Sequence, residues 1–503
     1  MDDSVKRVEI KVQPRSGFDK SVGSMGTSKC GLITPIFVDE VIPNSKINLK
    51  IALSATLPPL ASESFMKCSV KCEAFFVPMR LLFGSFENWF CDNPVRYSDG
   101  SNASCCPPVI LLDGAYSAGV ANFTAIGGLA DYLGYRTSST TAASYVIPAM
   151  PFLAYHRIYD DWYRRADLQN SVFRPLKPGS VVPQNLKAAP FQVFDSNNYL
   201  ITVASAANEN LGDAVSIFSL RVRNFDQDYF TVARTSEQFG PARSVTIQSS
   251  GGTDYFTIAS LRNQNSLQQF AERNSLVTPR EVEVVKSRYG ADLSDGVAQR
   301  SLLIGAAEFE LYTKGIFTNA STSSTNNNPF AGEVASQFGS AYASGSDFII
   351  NGFTANEPGY IFINATMVPR VTYSSGVRRY LSNYMGPGCI VDMPNPLLQN
   401  TGNEPIYQRE LTGELANTGV FGYVERYSWF KTRENELHGL LRDGQTLSSF
   451  ALQRNFAPGS NPQINNSFIK IPTSYMDQVE AVSGNISNYG WWYDTPLRFI
   501  FTV

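Results

Sequence analysis

The 503-residue sequence predicts an all-β fold, a Greek-key sandwich of about eight strands whose loops have grown, with a few short α-helices. Three observations predict it. Segments of period-two alternation recur along the chain, and they are separated by insertions of very unequal length rich in Ser, Thr, Asn, Gly and Ala. The third is aromatic content: 33 Phe and 24 Tyr, with 5 Trp, bring it to 12%, a composition suited to sheets and subunit interfaces.

The first two strands are residues 31–41 (GLITPIFVDEV) and 47–57, where Ile47, Leu49, Ile51, Leu53, Ala55 and Leu57 alternate with more polar partners. Pro43, Asn44 and Ser45 supply the turn between them. A third strand, 68–77, leads through Pro78 into an amphipathic helix around Leu81–Phe90, with Leu82, Phe86, Trp89 and Phe90 on one face. A second helix starts at Pro151. It carries Phe152, Tyr155, Ile158, Tyr159, Trp162 and Tyr163 at helical spacing, and Arg157, Asp160, Asp161, Arg164 and Arg165 opposite.

Residues 261–273 and 279–289 read as two further helices; the later one has Thr278 as N-cap, Pro279 at its first position and Gly290 as its stop. The polar stretches 97–145, 176–255 and 315–346 read as linkers or long surface loops. Strand patterns return at 366–373 and at 420–430, the latter with Phe421, Tyr423, Tyr427 and Trp429 on one face. From Leu497 to Val503 the alternation of Leu497, Phe499, Phe501 and Val503 with Arg498, Ile500 and Thr502 predicts a strand docked in a sheet or under a neighbouring subunit. Together these elements predict one domain over 1–503, with large insertions at about 97–145, 176–255 and 260–346.

Composition and motifs exclude much chemistry. A net charge of -3 argues against binding nucleic acid by bulk charge. Lys6, Arg7, Lys11, Arg15 and Lys20 form a basic arm that could face single-stranded nucleic acid, although Asp2, Asp3, Glu9 and Asp19 nearly cancel it. Seven irregularly spaced cysteines in so long a chain read as reduced thiols. Cys68 and Cys72 share one strand face but lack two further metal ligands, so they read as core.

No signal-peptide core and no apolar run of membrane-spanning length is present. With His156 and His438 as the two histidines there is no HExxH motif and little material for a triad, and no GxSxG, phosphate-binding or dinucleotide-binding glycine pattern occurs. Asp39 and Glu40 point to opposite faces of their strand, and Asp160 and Asp161 read as turn or interface salt links. The sequence therefore assigns no catalytic, cofactor-binding or metal-binding residue.

An ordered series of segments resembles the major capsid protein of the Microviridae, the small icosahedral single-stranded DNA bacteriophages, and in particular its gokushovirus-like branch. The segments are 15–19 (RSGFD), 31–33 with 37–43 (FVDEVIP), 75–81 (FFVPMRL), 129–134 (LADYLG), 151–155 with 162–164 and 167–169, 228–231 (DYFT), 420–427 (VFGYVERY) and 499–503. The resemblance implies an eight-stranded antiparallel jelly roll. It implies a T=1 shell of sixty copies around circular single-stranded DNA, with no cofactor and no enzymatic activity. The implied partners are further copies of the chain, the genome, partly through a small basic internal protein, scaffolding and pilot proteins, and a receptor on the bacterial host surface. No membrane insertion is implied; the protein would assemble in the host cytoplasm and reside in the virion.

Under the resemblance, Trp162, Phe499, Phe501 and Val503 become candidate assembly contacts. In gokushovirus-like relatives a long insertion after the DYFT-like segment builds a three-fold protrusion that meets the host. Here Val232 to Tyr255 separate Thr231 from the next helix, which predicts a short or differently made protrusion, with Val232, Arg234, Phe239, Arg243 and Tyr255 as its candidate residues. The stretch 187–222 is longer than usual and could carry the exposed feature instead. Residues 299–305 (QRSLLIG) lack the proline that relatives carry there. The competing readings are a carbohydrate-binding β-sandwich of the lectin or fibre type, with aromatic loops as sugar platform, and a glycoside hydrolase, which needs two facing carboxylates.

Overall fold

A computed structural model of the chain describes residues 16–62, 64–82, 86, 90, 95–96, 102–103, 107, 109–112, 123–135, 145–169, 191–194, 200–203, 218–237, 248–250, 253–255, 258–275, 281–292, 294, 299–317, 337–382, 402–480 and 490–502. The period-two segments are strands. The long ones are β1 (Val22–Ser28), β2 (Thr34–Val41), β3 (Ser45–Thr56) and β4 (Cys68–Pro78), then β5 (Leu302–Glu310), β6 (Gln337–Ala355), β7 (Gly359–Pro369) and β8 (Trp491–Thr502).

They form two antiparallel sheets. The first runs β1-β8-β3-β6, with Gly17–Asp19 beside β8 at one edge and Tyr312–Phe317 beside β6 at the other. The second runs β5-β4-β7-β2. β8 lies inside the first sheet, with Leu497 opposite both Val22 and Ile51 and Phe499 opposite Leu49.

The odd residues Ile47 to Ala55 of β3 point inward and meet Ile361, Ile363 and Met367 of β7 in one apolar core. Phe37 lies 5.1 Å from Phe499 and Phe76 lies 5.3 Å from Phe353, so rings bridge the sheets. Each fully buried aliphatic or aromatic side chain of this kind contributes about 1.5–3 kcal/mol. Cys68 and Cys72 pack in this core as free thiols, and burial pushes both up to about 12.

Several elements differ from the sequence expectation, each for a local reason. Residues 337–346, expected as loop, begin β6; their inward positions are Gly339, Ala341 and Ala343. A Cβ on Gly339 would lie 2.3 Å from the Ser62 carbonyl oxygen and one on Gly345 would lie 2.6 Å from the Phe309 ring. Close approach demands small residues here, and small residues carry no hydrophobic signal. β7 starts at Gly359, before the expected 366, because it is buried on both faces and shows no alternation. The strand expected over 420–430 ends at Glu425, where it pairs with Asn403–Tyr407; Tyr427 then turns the chain at φ +64° into a short helix, Ser428–Lys431.

The insertion between β4 and β5 has its own order. Val109–Leu112, Tyr145–Pro148, Phe191–Phe194 and Leu200–Val203 form a four-stranded sheet, and Gln248–Ser250 pairs with Thr253–Tyr255; all but Tyr145–Pro148, which starts at the end of one, lie within stretches expected as loops. Among the described residues its longer helices are α1 (Met150–Ile158), α2 (Ile258–Ser275) and α3 (Glu281–Tyr289), the last stopped by Gly290 at φ +69°; Thr278 and Pro279 lie outside the described residues. Of the helix expected at Leu81–Phe90, a 3-10 turn at Met79–Leu81 and the stacked rings of Phe86 and Phe90, 5.3 Å apart, are described, while Trp89 is not.

α1 buries Phe152, Tyr155 and Ile158 against Phe75, Val77, Tyr360 and Phe362 on the outer face of the second sheet. The first sheet keeps its outer face open, with Trp492, Asp494 and Arg498 of β8 and Lys46 and Ser54 of β3 exposed.

Candidate functional site

α1 runs on into a π-turn, Tyr159–Tyr163, and the wider turn rotates Asp160 and Asp161 out of the expected polar face into burial. Each acid finds a cation one turn away: Arg157 Nε lies 3.0 Å from Asp161 and Arg164 Nε 2.6 Å from Asp160. Asp161 also accepts from the backbone N–H and hydroxyl of Ser301, both at 2.9 Å. The Trp162 indole N–H points at the Ser301 carbonyl (3.0 Å) and hydroxyl (3.1 Å), and the Arg300 guanidinium lies 3.8 Å over its ring.

The π-turn thus grips residues 299–301 at the entrance to β5. This is the link that lacks the proline. Gln299 sits there at φ +52°, and its carbonyl accepts from Arg157 at 2.5 Å. Trp162 is half-buried, with its indole N–H bonded within its own chain.

Beside it lies a cleft of about 630 Å³ that brings Trp162, Arg300, Val232 and Arg234 together. Arg234 exchanges two backbone hydrogen bonds of 2.8 Å with Tyr423, so the first residues of the 232–255 stretch are anchored. Arg165 donates to the carbonyls of Val232 (3.1 Å) and Ala233 (2.6 Å) and grips Asp167 with two bonds of 2.8 Å. Arg223 pairs with Glu73 at 2.7 Å. The cations of this cleft are largely matched by acids and carbonyls, an arrangement that positions loops.

The other candidate residues lie elsewhere. Phe499 is fully buried between the sheets, at 0% exposure. Lys20 pairs with Asp39 at 2.8 Å, and Glu40 interacts instead with the Tyr360 hydroxyl, so the two neighbouring acids diverge. Lys6, Arg7, Lys11, Arg15, Phe239, Arg243 and Val503 lie outside the described residues, as do the side chains of Tyr255 and Phe501.

A larger groove, about 840 Å³, runs between residues 373–381 and 429–438, with Tyr380, Leu381 and Phe430 exposed at its rim. Beneath it Arg379, buried, lies 3.3 Å from Glu404, and Tyr229 donates to Glu410 at 3.1 Å. Burial pushes the Glu410 carboxyl up to about 7, against the pull of Arg379. Sequence reasoning missed this network, whose members come from three segments and share no spacing. Among the described residues no group of three or more His, Cys, Asp or Glu side chains is placed to hold a metal ion, and no helix is long and apolar enough to cross a membrane.

A comparison with protein families finds that the family described as "Capsid protein (F protein)", from phages, matches residues 7–498. The chain belongs to this phage capsid protein family. Capsid protein VP1 of Chlamydia phage 1 is 24% identical, across 93% of this chain and 91% of the relative. Capsid protein VP1 of Bdellovibrio phage phiMH2K is 25% identical, across 91% and 88%. Capsid protein VP1 of Spiroplasma virus 4 is 21% identical, across 94% and 90%. This capsid protein is thus a structural component of a bacteriophage virion, of the Microviridae type that its ordered segments resemble.

Proposed function

We propose that the chain is a single eight-stranded jelly-roll capsid domain, without enzymatic activity, that closes with further copies into a T=1 shell around circular single-stranded DNA. The observation that carries this reading is the strand order. Numbered along the chain, the two sheets read 1-8-3-6 and 2-7-4-5, so every connection except that from β4 to β5 crosses between sheets, as in the paired Greek keys of viral jelly rolls. The long connections after β4 and after β7 are then insertions on one domain, and they supply the surfaces that a shell of identical subunits needs around its symmetry axes. The strand β5 and the beginning of β6 belong to the jelly roll, although they fall within the stretch 260–346 that the sequence reading set aside as an insertion.

The finer roles are ours as well. Trp162 and Phe499 support assembly by holding the subunit in shape. The basic arm from Lys6 to Lys20 faces the genome together with a small basic internal protein. Scaffolding and pilot proteins are transient or minor partners, and the loop within 232–255 takes part in attachment to a host surface receptor. Electron microscopy of the expressed protein tests the main reading: uniform closed shells are expected, and soluble oligomers alone would overturn it. Deleting residues inside 240–252 should leave shells intact and lower adsorption to host cells, whereas loss of shells would assign that loop to a subunit contact.

A further inference from the structure

The sequence holds a single Asn-Gly step, Asn351 followed by Gly352. It falls at the bulge of β6. There Ile350 lies opposite Leu49 and Phe353 opposite Ile47, so Asn351 and Gly352 together face one residue of β3, Asn48. Asn351 is exposed, and its carboxamide has no hydrogen-bond partner among the described residues. Gly352 turns the backbone at φ +72°, a conformation that glycine adopts readily. Its N–H donates to the Asn48 side-chain oxygen at 2.7 Å.

These are the parts of a reaction between a side chain and its own backbone. Once the Gly352 amide gives up its proton, the nitrogen attacks the carboxamide carbon of Asn351. A carbon–nitrogen bond closes a cyclic imide, and ammonia leaves with the proton. Water then opens the imide at either carbonyl: one opening yields aspartate, the other isoaspartate, in which the main chain runs through the side-chain carbon. Gly352 has no Cβ to shield its nitrogen, and the bulge takes that nitrogen out of the regular ladder of inter-strand bonds. What holds its proton instead is the Asn48 carboxamide oxygen.

We infer that Asn351 is a site of spontaneous deamidation, and that Asn48 sets its rate by holding the Gly352 N–H. Reactive step and restraint form one local unit, because the pairing that gives β6 its extra residue also puts Asn48 opposite it. The product changes the sheet. Either opening adds a negative charge beside Lys46, whose Cε lies 3.6 Å from where a Cβ on Gly352 would stand. Isoaspartate also lengthens the backbone by one carbon, close to the fully buried side chains of Ile350, Leu49 and Ile47.

The test incubates the full-length, unassembled protein at mildly alkaline pH. Peptide mass spectrometry locates the exchange of amide for acid, and labelling by an isoaspartyl methyltransferase counts isoaspartate. Residue 351 should convert in the folded chain, more slowly than in the same chain unfolded in urea, and Asn351→Ser should abolish the signal. Asn48→Ala removes the acceptor and should speed conversion about two- to tenfold, the worth of one hydrogen bond. Asn48→Asp keeps an acceptor oxygen there and should convert no faster than the wild type. Equal rates for wild type and Asn48→Ala overturn the inference, as does a folded chain that stays unconverted while the unfolded chain converts. A faster Asn48→Ala protein whose urea midpoint has dropped in step overturns it too, since a loosened fold would then account for the rate.

Discussion

Replacing Phe499 by alanine separates a fold-holding strand from an assembly contact. The side chain is fully buried, its ring lies 5.1 Å from Phe37 across the two sheets, and its backbone faces Leu49 in β3. Removing it deletes the transfer free energy of the ring and leaves a cavity that the flanking strands cannot close, a loss of about 3–5 kcal/mol. The ratio of folded to unfolded chain then falls by a factor of roughly 150 to 5,000. In urea, with a slope of about 3 kcal/mol/M or more for a chain this long, the midpoint should drop by about 1 M. The assay is equilibrium unfolding of the unassembled protein by tryptophan fluorescence, with particle yield measured alongside. Phe499→Leu, which refills most of the space, should recover most of both. An unassembled Phe499→Ala protein that keeps its midpoint and still makes no shells would refute the reasoning, because the side chain would then act at a neighbouring subunit.

Three further outcomes are expected. Trp162→Phe keeps an aromatic face, though a smaller one, and loses the indole bond to Ser301, so urea unfolding should report about 1 kcal/mol or more, and no change would mean that the grip on residues 299–301 does not depend on it. Gly305→Ala would set a Cβ 1.7 Å from the Ile349 carbonyl oxygen where β5 crosses β6; the sheets must part, at about 1–3 kcal/mol or more, and a wild-type midpoint would show that the bulge there has room. Glu410 is pushed by burial up to about 7 from an ordinary 4.5, so between those values the folded state holds a proton that the unfolded state releases. Its contribution to stability is therefore greatest below pH 4.5, falls as pH rises to about 7, and is level above. Glu410→Gln should remove that fall, and an identical pH profile would show that the carboxyl is not protonated in the fold.

How far the fold was legible depended on how each strand is buried. β3 and β8 could be read because one face meets the core and the other meets more polar surroundings, so Ile47 to Ala55 and Leu497 to Phe499 alternate visibly. β7 is covered on both sides, so only part of it showed a pattern. The beginning of β6 stayed hidden behind Gly339, Ala341 and Ala343, where close approach to Ser62 excludes large side chains. The helix carrying Trp162 was evident from its spacing, yet its partners Arg300 and Ser301 lie nearly 140 residues on, and no local pattern connects them. The same holds for Arg379, Glu404 and Glu410, and for Lys50 and Arg498, which become neighbours only through the pairing of β8 with β3.

That pairing also sets an order of events during synthesis. β8 occupies the gap between β1 and β3, and the Thr495 hydroxyl reaches back 471 residues to the Ser24 carbonyl. At about 5–20 residues per second a ribosome needs on the order of half a minute or more to make the intervening chain, and through that time the first sheet lacks its central strand. The partners on either side must wait with unpaired edges, a state of high contact order that is slow to resolve and open to wrong pairing. A nascent chain halted anywhere before residue 491 cannot present a finished sheet. Completion of that sheet therefore waits on β8, whose two neighbours are made several hundred residues earlier.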